Sequence, residues 1–216
     1  MIDWNDIETV LLDMDGTLLD LYFDDYFWQV ELPKQWGEQN GMDMATARAS
    51  LLPIFQNTAA TLSWYCLDYW SDRLNFDVFA IGASIEHLIR VRPHVEEFLE
   101  YLALREKHIV LVTNSHEKFI ALKMESTGLD RHFHHIFNAH SFGAPKEDRE
   151  FWEALDKHID FTRESTLLID DNLSVLRSAQ RHGIRYLLSI AQPNSQVPAR
   201  DTGEFTAITT FRDLCY

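Results

Sequence analysis

The 216-residue chain holds only two cysteines, Cys66 and Cys215, too few for a disulfide framework and too isolated for a zinc site. Basic residues are scarce: 19 Lys and Arg stand against 34 Asp and Glu, a formal net charge of −15. A surface of that sign is repelled by phosphate backbones and anionic lipid, which argues against nucleic-acid and membrane partners. Long apolar runs are missing, so no segment reads as a bilayer span. Met1 to Asp6 lack the basic and apolar regions of a secretory signal, and a cytoplasmic location is expected. There are only eight glycines, and no repeat, low-complexity tract or glycine-rich linker. What is present, 46% hydrophobic and 25% charged residues, suits one good-sized globular domain or a core with a smaller insert.

Short apolar runs end abruptly in polar residues. Val10-Leu11-Leu12 stops at Asp13, Ile109 to Val112 at Thr113, and Leu167-Leu168-Ile169 at Asp170. These read as buried strands, with Ile136-Phe137 and Ile184 to Leu188 as two more. Helical patterns lie between them. Pro93 suits a first helical turn before Val95, Phe98, Leu99 and Leu102. Phe119, Leu122 and Met124 form a second face stopped by Gly128. Phe151, Trp152, Leu155 and Ile159 form a third, and Leu173, Leu176 and Ala179 a fourth that stops near Gly183. Strands alternating with helices predict an α/β fold with a doubly wound parallel sheet, whose ligands bind beyond the carboxyl ends of the strands.

The segment 21–90 breaks that rhythm. It is helical in character and crowded with aromatics, Trp28, Phe55, Trp64, Tyr65 and Trp70 among them. It reads as an inserted helical cap over the crevice, leaving 1–20 and 91–216 as the core. Most of the aromatics are expected to pack internally, with one or two facing a ligand. The tail from Ala191, with Pro193, Pro198 and Gly203, reads as largely irregular.

The polar stretches at strand ends carry the chemistry. Asp13 suits a carboxylate nucleophile that forms an aspartyl-phosphate, and Asp15 suits proton transfer to the leaving oxygen and from water. Gly16 allows a sharp turn beside a phosphate. Thr113 and Asn114 offer donors where a helix begins, and Lys146 can neutralise nucleophile and phosphate. Asp170-Asp171 crowds two like charges at a buried strand end, which is costly without a cation. Magnesium accepts a few carboxylates, so Asp13, the carbonyl of Asp15 and Asp171 can compose its site. Alone, these motifs are an Asp-rich turn, a helix cap, a surface lysine and a capping pair. Their order and placement are what make the joint reading.

That order, D-x-D-x-T, then T/S, then K, then D-D, resembles the haloacid dehalogenase-like hydrolase superfamily from about Val10 to Phe211. The resemblance implies that 21–90 is that superfamily's helical cap. It implies Asp13 as nucleophile, Asp15 as acid/base, Thr113, Asn114 and Lys146 as phosphate-binding residues, and Asp170 and Asp171 at a magnesium ion, Asp171 the more direct ligand. Dehalogenases of the superfamily lack an aspartate at the position of Asp15, so its presence favours phosphate chemistry. Many relatives carry proline after the lysine, whereas here Pro145 precedes Lys146 and Glu147 follows, and a different loop path is expected.

The strings L-D-M-D-G-T-L-L-D-L, Y-F-W-Q, L-S-W-Y-C-L-D-Y-W-S (Leu62 to Ser71) and P-K-E-D (Pro145 to Asp148) further resemble the bacterial GMP/IMP 5′-nucleotidases within it. The implied substrate is a small phosphate monoester, a purine nucleoside monophosphate, with a sugar-phosphate phosphatase or phosphoglucomutase-like phosphotransferase as the alternative. An inactive binding fold is disfavoured by the intact Asp13, Asp15, Lys146 and Asp171. His132, His134, His135 and His140 match no compact metal motif and read as an exposed loop. A response-regulator receiver is disfavoured because its acidic pair comes first, not last.

Overall fold

The computed structural model describes residues 2–59 and 61–215; Met1, Ala60 and Tyr216, which fall within the core and insert segments drawn above, lie outside them. The apolar runs form strands β1 (Thr9–Leu12), β2 (His108–Thr113), β3 (His135–Asn138), β4 (Thr166–Ile169) and β5 (Tyr186–Ile190), joined by a short β6 (Ala207–Ile208). They make one sheet in the order β3-β2-β1-β4-β5-β6, and every pairing is parallel. Such a sheet must be covered on both faces, and alternate side chains of each central strand enter different clusters. Val10, Leu12, Ile109, Leu111, Leu167 and Ile169 join one, while Leu11, Val110, Val112 and Leu168 join the other. Burying each such side chain contributes about 1.5–3 kcal/mol, and this fixes which residues point inward.

The insert folds as α1 (Tyr22–Tyr26), α2 (Leu32–Gln39), α3 (Met44–Thr58), α4 (Leu67–Leu74) and α5 (Val78–Ser84), with a π-helical turn at Phe27–Glu31. Asp43 and Asp77 start α3 and α5 by accepting from the amides of Thr46 and Ala80 at 2.8 and 3.0 Å. Phe23, Phe27 and Trp70 are wholly buried and continuous with the cluster on the first sheet face. Trp28 and Trp64 stack with centroids 5.3 Å apart, edged by Phe55 and Trp70.

In the core follow α6 (Val95–Leu104), α7 (Glu117–Thr127), α8 (Ala139–Phe142), α9 (Arg149–His158) and α10 (Leu173–His182). Two boundaries differ from the sequence reading. Pro93 lies in a turn, not in the helix, because His94 adopts φ +65 before α6 begins. Ile184 is not in β5: its amide closes α10 onto Ala179 O at 3.1 Å, after the left-handed Gly183. The tail is mostly irregular, but it carries β6 and runs back across the carboxyl end of the sheet, where Pro193 O accepts from Leu21 N at 3.0 Å.

Candidate active site

The ends of β1, β2 and β4 lie side by side, since Leu12 pairs with both Leu111 and Ile169. Asp13, Thr113 and Asp170 therefore emerge together at the point where the strand order reverses. Lys146 is brought to them from the loop after α8. Its ammonium donates to Asp13 Oδ1 at 2.6 Å, Asp170 Oδ2 at 2.7 Å and Val112 O at 3.1 Å, so all three of its donors are engaged. The altered loop order thus still delivers the lysine to Asp13.

The three acids pack closely. Asp13, Asp170 and Asp171 each offer a carboxylate oxygen within 4.8 Å of the others, the only such metal-ligating group of three among the described residues. Burial, then Asp170 and Asp171, raise the Asp13 carboxyl well above its ordinary range against the pull of Lys146. Burial likewise raises Asp170, and burial with Asp170 pushes Asp171 up to about 7. Burial alone would pull Lys146 down, but Asp13 and Asp170 outweigh it and hold it above its usual value. Asp13 Oδ2 is buried without a hydrogen-bond partner among the described residues. An orphaned carboxylate oxygen beside two more acids is a donor set that fits a divalent cation. With its three carboxylates ionised, the cluster of Asp13, Asp170, Asp171, Lys146 and Arg200 carries net −1, and such a cation would bring it to net +1. That gives a strongly acidic chain a local site for an anion.

The turn after β1 is shaped by contacts across the chain. Thr17 Oγ1 accepts from Asp171 N at 3.1 Å. Gly16 adopts φ +86, and a Cβ on it would stand 2.8 Å from the Asp171 carboxyl carbon, so no other residue fits without a shift. Asp15 lines the same cavity but stands apart from the acidic trio, with its Oδ1 held by Lys123 Nζ at 2.7 Å.

Thr113 Oγ1 accepts from Ser115 N at 3.0 Å and opens the turn into α7. The side chain of Asn114 is committed to the lysine loop. Its Oδ1 accepts from Lys146 N at 2.8 Å and its Nδ2 donates to Glu147 Oε2 at 2.8 Å. The four histidines share no element: His132 ends a 3-10 turn, His135 is in β3 and His140 in α8, and only His134 and His135 are exposed.

Several residues at the site were invisible in the sequence. Glu147 also accepts from Tyr65 OH at 2.8 Å and Asn172 Nδ2 at 3.0 Å, tying the cap to two loops at the carboxyl end of the sheet. Arg200, from the tail, donates to Asp171 O and to its Oδ2 at 3.2 Å. Lys123, itself buried, pairs with the partly buried Asp24 beside Asp15. A cavity of about 560 Å³ runs from the acids to Trp28, Trp64, Tyr65 and Phe119.

The sequence profile described as haloacid dehalogenase-like hydrolase matches residues 10–189, most of the chain. The chain belongs to the haloacid dehalogenase-like hydrolases. It is 40% identical over 213 residues to the GMP/IMP nucleotidase YrfG of Escherichia coli (strain K12), covering 99% of this chain and 96% of that one. Among solved structures, the HAD phosphatase from Thermococcus onnurineus superposes with a TM-score of 0.80 at 18% identity over 96% of both chains. YfnB from Bacillus subtilis, solved bound to magnesium, superposes at 0.67 with 18% identity over 96% of each. These similarities place the parallel sheet with its helical cap within the haloacid dehalogenase-like fold. This hydrolase carries the parts of a phosphatase, and no helix among its described residues is long and apolar enough to cross a membrane.

Proposed function

We propose that this phosphatase hydrolyses purine nucleoside 5′-monophosphates, GMP or IMP, with magnesium, through an aspartyl-phosphate on Asp13. The observation that carries the reading is the 40% identity with a GMP/IMP nucleotidase along nearly the whole of both chains. The cavity supports it, because a phosphate seated against Asp13 leaves room for a base between the acids and the Trp28–Trp64 stack. Stacking on such a wall contributes about 1–3 kcal/mol per base.

Asp13 attacks phosphorus as the bond to the nucleoside 5′ oxygen breaks, and Asp15 gives that oxygen its proton. Asp15, now a carboxylate, takes a proton from the water that attacks the aspartyl-phosphate, and inorganic phosphate leaves with Asp13 restored. Lys146 holds Asp13 in line throughout and offsets charge on the phosphoryl oxygens. Thr113 has a hydroxyl proton free to donate to the phosphate, while Asn114 acts by holding the Lys146 loop. Asp13, Asp171 and the Asp15 carbonyl would hold magnesium, with Asp170 supporting. The ion would supply charge neutralisation to the phosphoryl group.

Phosphate release from nucleoside monophosphates and sugar phosphates, with magnesium and with chelator, tests the proposal. The expected pattern is magnesium-dependent release strongest on GMP or IMP and absent in Asp13→Asn. Release strongest on a sugar phosphate would overturn the substrate. A fully active Asp13→Asn protein would overturn the nucleophile.

A further inference from the structure

Lys123 is a buried cation outside the mechanism just described. Its side chain is 1% exposed, on α7, with the ammonium 4.8 Å from the Phe23 ring centroid and 5.5 Å from that of Phe119. It donates to Asp15 Oδ1 at 2.7 Å and to Asp24 Oδ1 and Oδ2 at 2.8 and 3.0 Å. An ammonium has three donors, and these contacts engage all of them. Stability does not call for this arrangement, since replacing a buried ion pair by apolar side chains of similar volume is often neutral or stabilising. What the arrangement does is geometric. Asp24, at the start of the cap, grips the ammonium with both oxygens, and the ammonium in turn grips one oxygen of Asp15. The other oxygen, Oδ2, makes no hydrogen bond among the described residues, and Asp15 lines the cavity.

We infer that Lys123, anchored by Asp24, is a positioning residue that aims the free oxygen of Asp15 at the leaving group. The inference rests on the proposed role of Asp15. As the Asp13–phosphorus bond forms and the phosphorus–O5′ bond breaks, O5′ takes the proton carried on Asp15 Oδ2. The carboxylate left behind is held at Oδ1 by Lys123. The group that donates the proton is thereby tied to the first helix of the cap as well as to the core, which links its aim to the seating of the cap.

A positioning role predicts a loss that depends on the leaving group. A nucleoside needs a proton as it departs, whereas p-nitrophenolate leaves without one. The test compares kcat/KM on IMP and on p-nitrophenyl phosphate, because both constants report steps only up to phosphorylation of Asp13. K123M is expected to lose at least tenfold more on IMP than on p-nitrophenyl phosphate. D24N, which keeps the shape but weakens the anchor, should lose in the same direction by a smaller factor, and it decides the matter if K123M does not fold. Equal losses on both esters, or no loss, would overturn the inference. D15N run alongside separates the two readings. If D15N shows the ester-selective loss and the other variants do not, only the role of Lys123 falls. If D15N shows no selectivity, the assignment of Asp15 falls first.

Discussion

A methyl group added at Gly16 would stand 2.8 Å from the Asp171 carboxyl carbon and 2.9 Å from its Oδ2, on a residue whose φ is +86. Positive φ on a non-glycine costs on the order of 1–3 kcal/mol, and here the added atom also displaces a carboxylate of the acidic trio. Gly16→Ala is therefore expected to lower Tm modestly and to abolish the stabilisation by magnesium that is expected of the parent protein, as thermal unfolding of both with and without the ion would show. At the other end of the cavity, Trp64→Ala should raise KM for IMP by a factor matching about 1–3 kcal/mol of stacking. Its effect on p-nitrophenyl phosphate should be much smaller, and steady-state kinetics on both esters checks this. That Asp13, Asp15, Thr113, Asp170 and Asp171 would stand together was legible because each lies at or just beyond the end of an apolar run, a signal confined to a few neighbouring residues, whereas Lys146 was placed only by the order of the motifs. Lys123 was not, because it lies among Phe119, Ile120 and Met124 as one more helix position, and its partners are 99 and 108 residues away. Arg200 was hidden for the same reason, 29 residues beyond Asp171 in an irregular tail.

Elements carry the next level of organisation, and the loop holding Lys146 shows how. Glu147 gathers Tyr65 from the cap, Asn114 from the end of β2 and Asn172 from the start of α10. Glu147→Ala leaves three part-buried donors without their acceptor, at a cost of up to about 1–3 kcal/mol each. The expected result is a clear fall in Tm and at least a tenfold fall in kcat, since Asn114 no longer holds the amide of Lys146 firmly. Tyr65→Phe removes only the cap's share and should cost about 0.5–1.5 kcal/mol with kcat nearly intact. Equal losses in the two variants would show that the loop draws its order from the cap alone. The strands themselves were legible from four or five apolar letters, since a parallel sheet buried on both faces leaves little room for polar residues. Boundaries were less so. The start of β5 depends on Ile184 closing a helix, and the start of α6 on the left-handed His94, neither of which hydrophobic periodicity encodes. The insert's helices were recognisable as such, but which aromatics face the cavity depends on how Trp28 and Trp64 stack across two elements.

For the molecule as a whole, charge sets the conditions of activity. A chain of net charge −15 repels phosphate esters unless a cation reverses the sign locally. Burial and Asp170 push Asp171 up to about 7 from 3.8. In the metal-free protein the folded state keeps that proton between those two values while the unfolded chain has released it. The group's contribution to stability therefore falls as pH rises through that window and is constant above it. A cation that binds the ionised carboxylate gains over the same window. The increase in Tm caused by magnesium is thus expected to grow from about pH 5 to about pH 7 and then level off. An increase that shrinks over that range would contradict the assignment of Asp171 to the metal. The most direct measurement is an acid quench of the enzyme turning over IMP, followed by mass spectrometry of the peptide that contains Asp13. The expected result is a phosphate adduct on Asp13 that is absent from Asp13→Asn and that accumulates in Asp15→Asn given p-nitrophenyl phosphate, whose leaving group departs without a proton. Continued phosphate release with no adduct, or an adduct on another residue, would contradict the aspartyl-phosphate route.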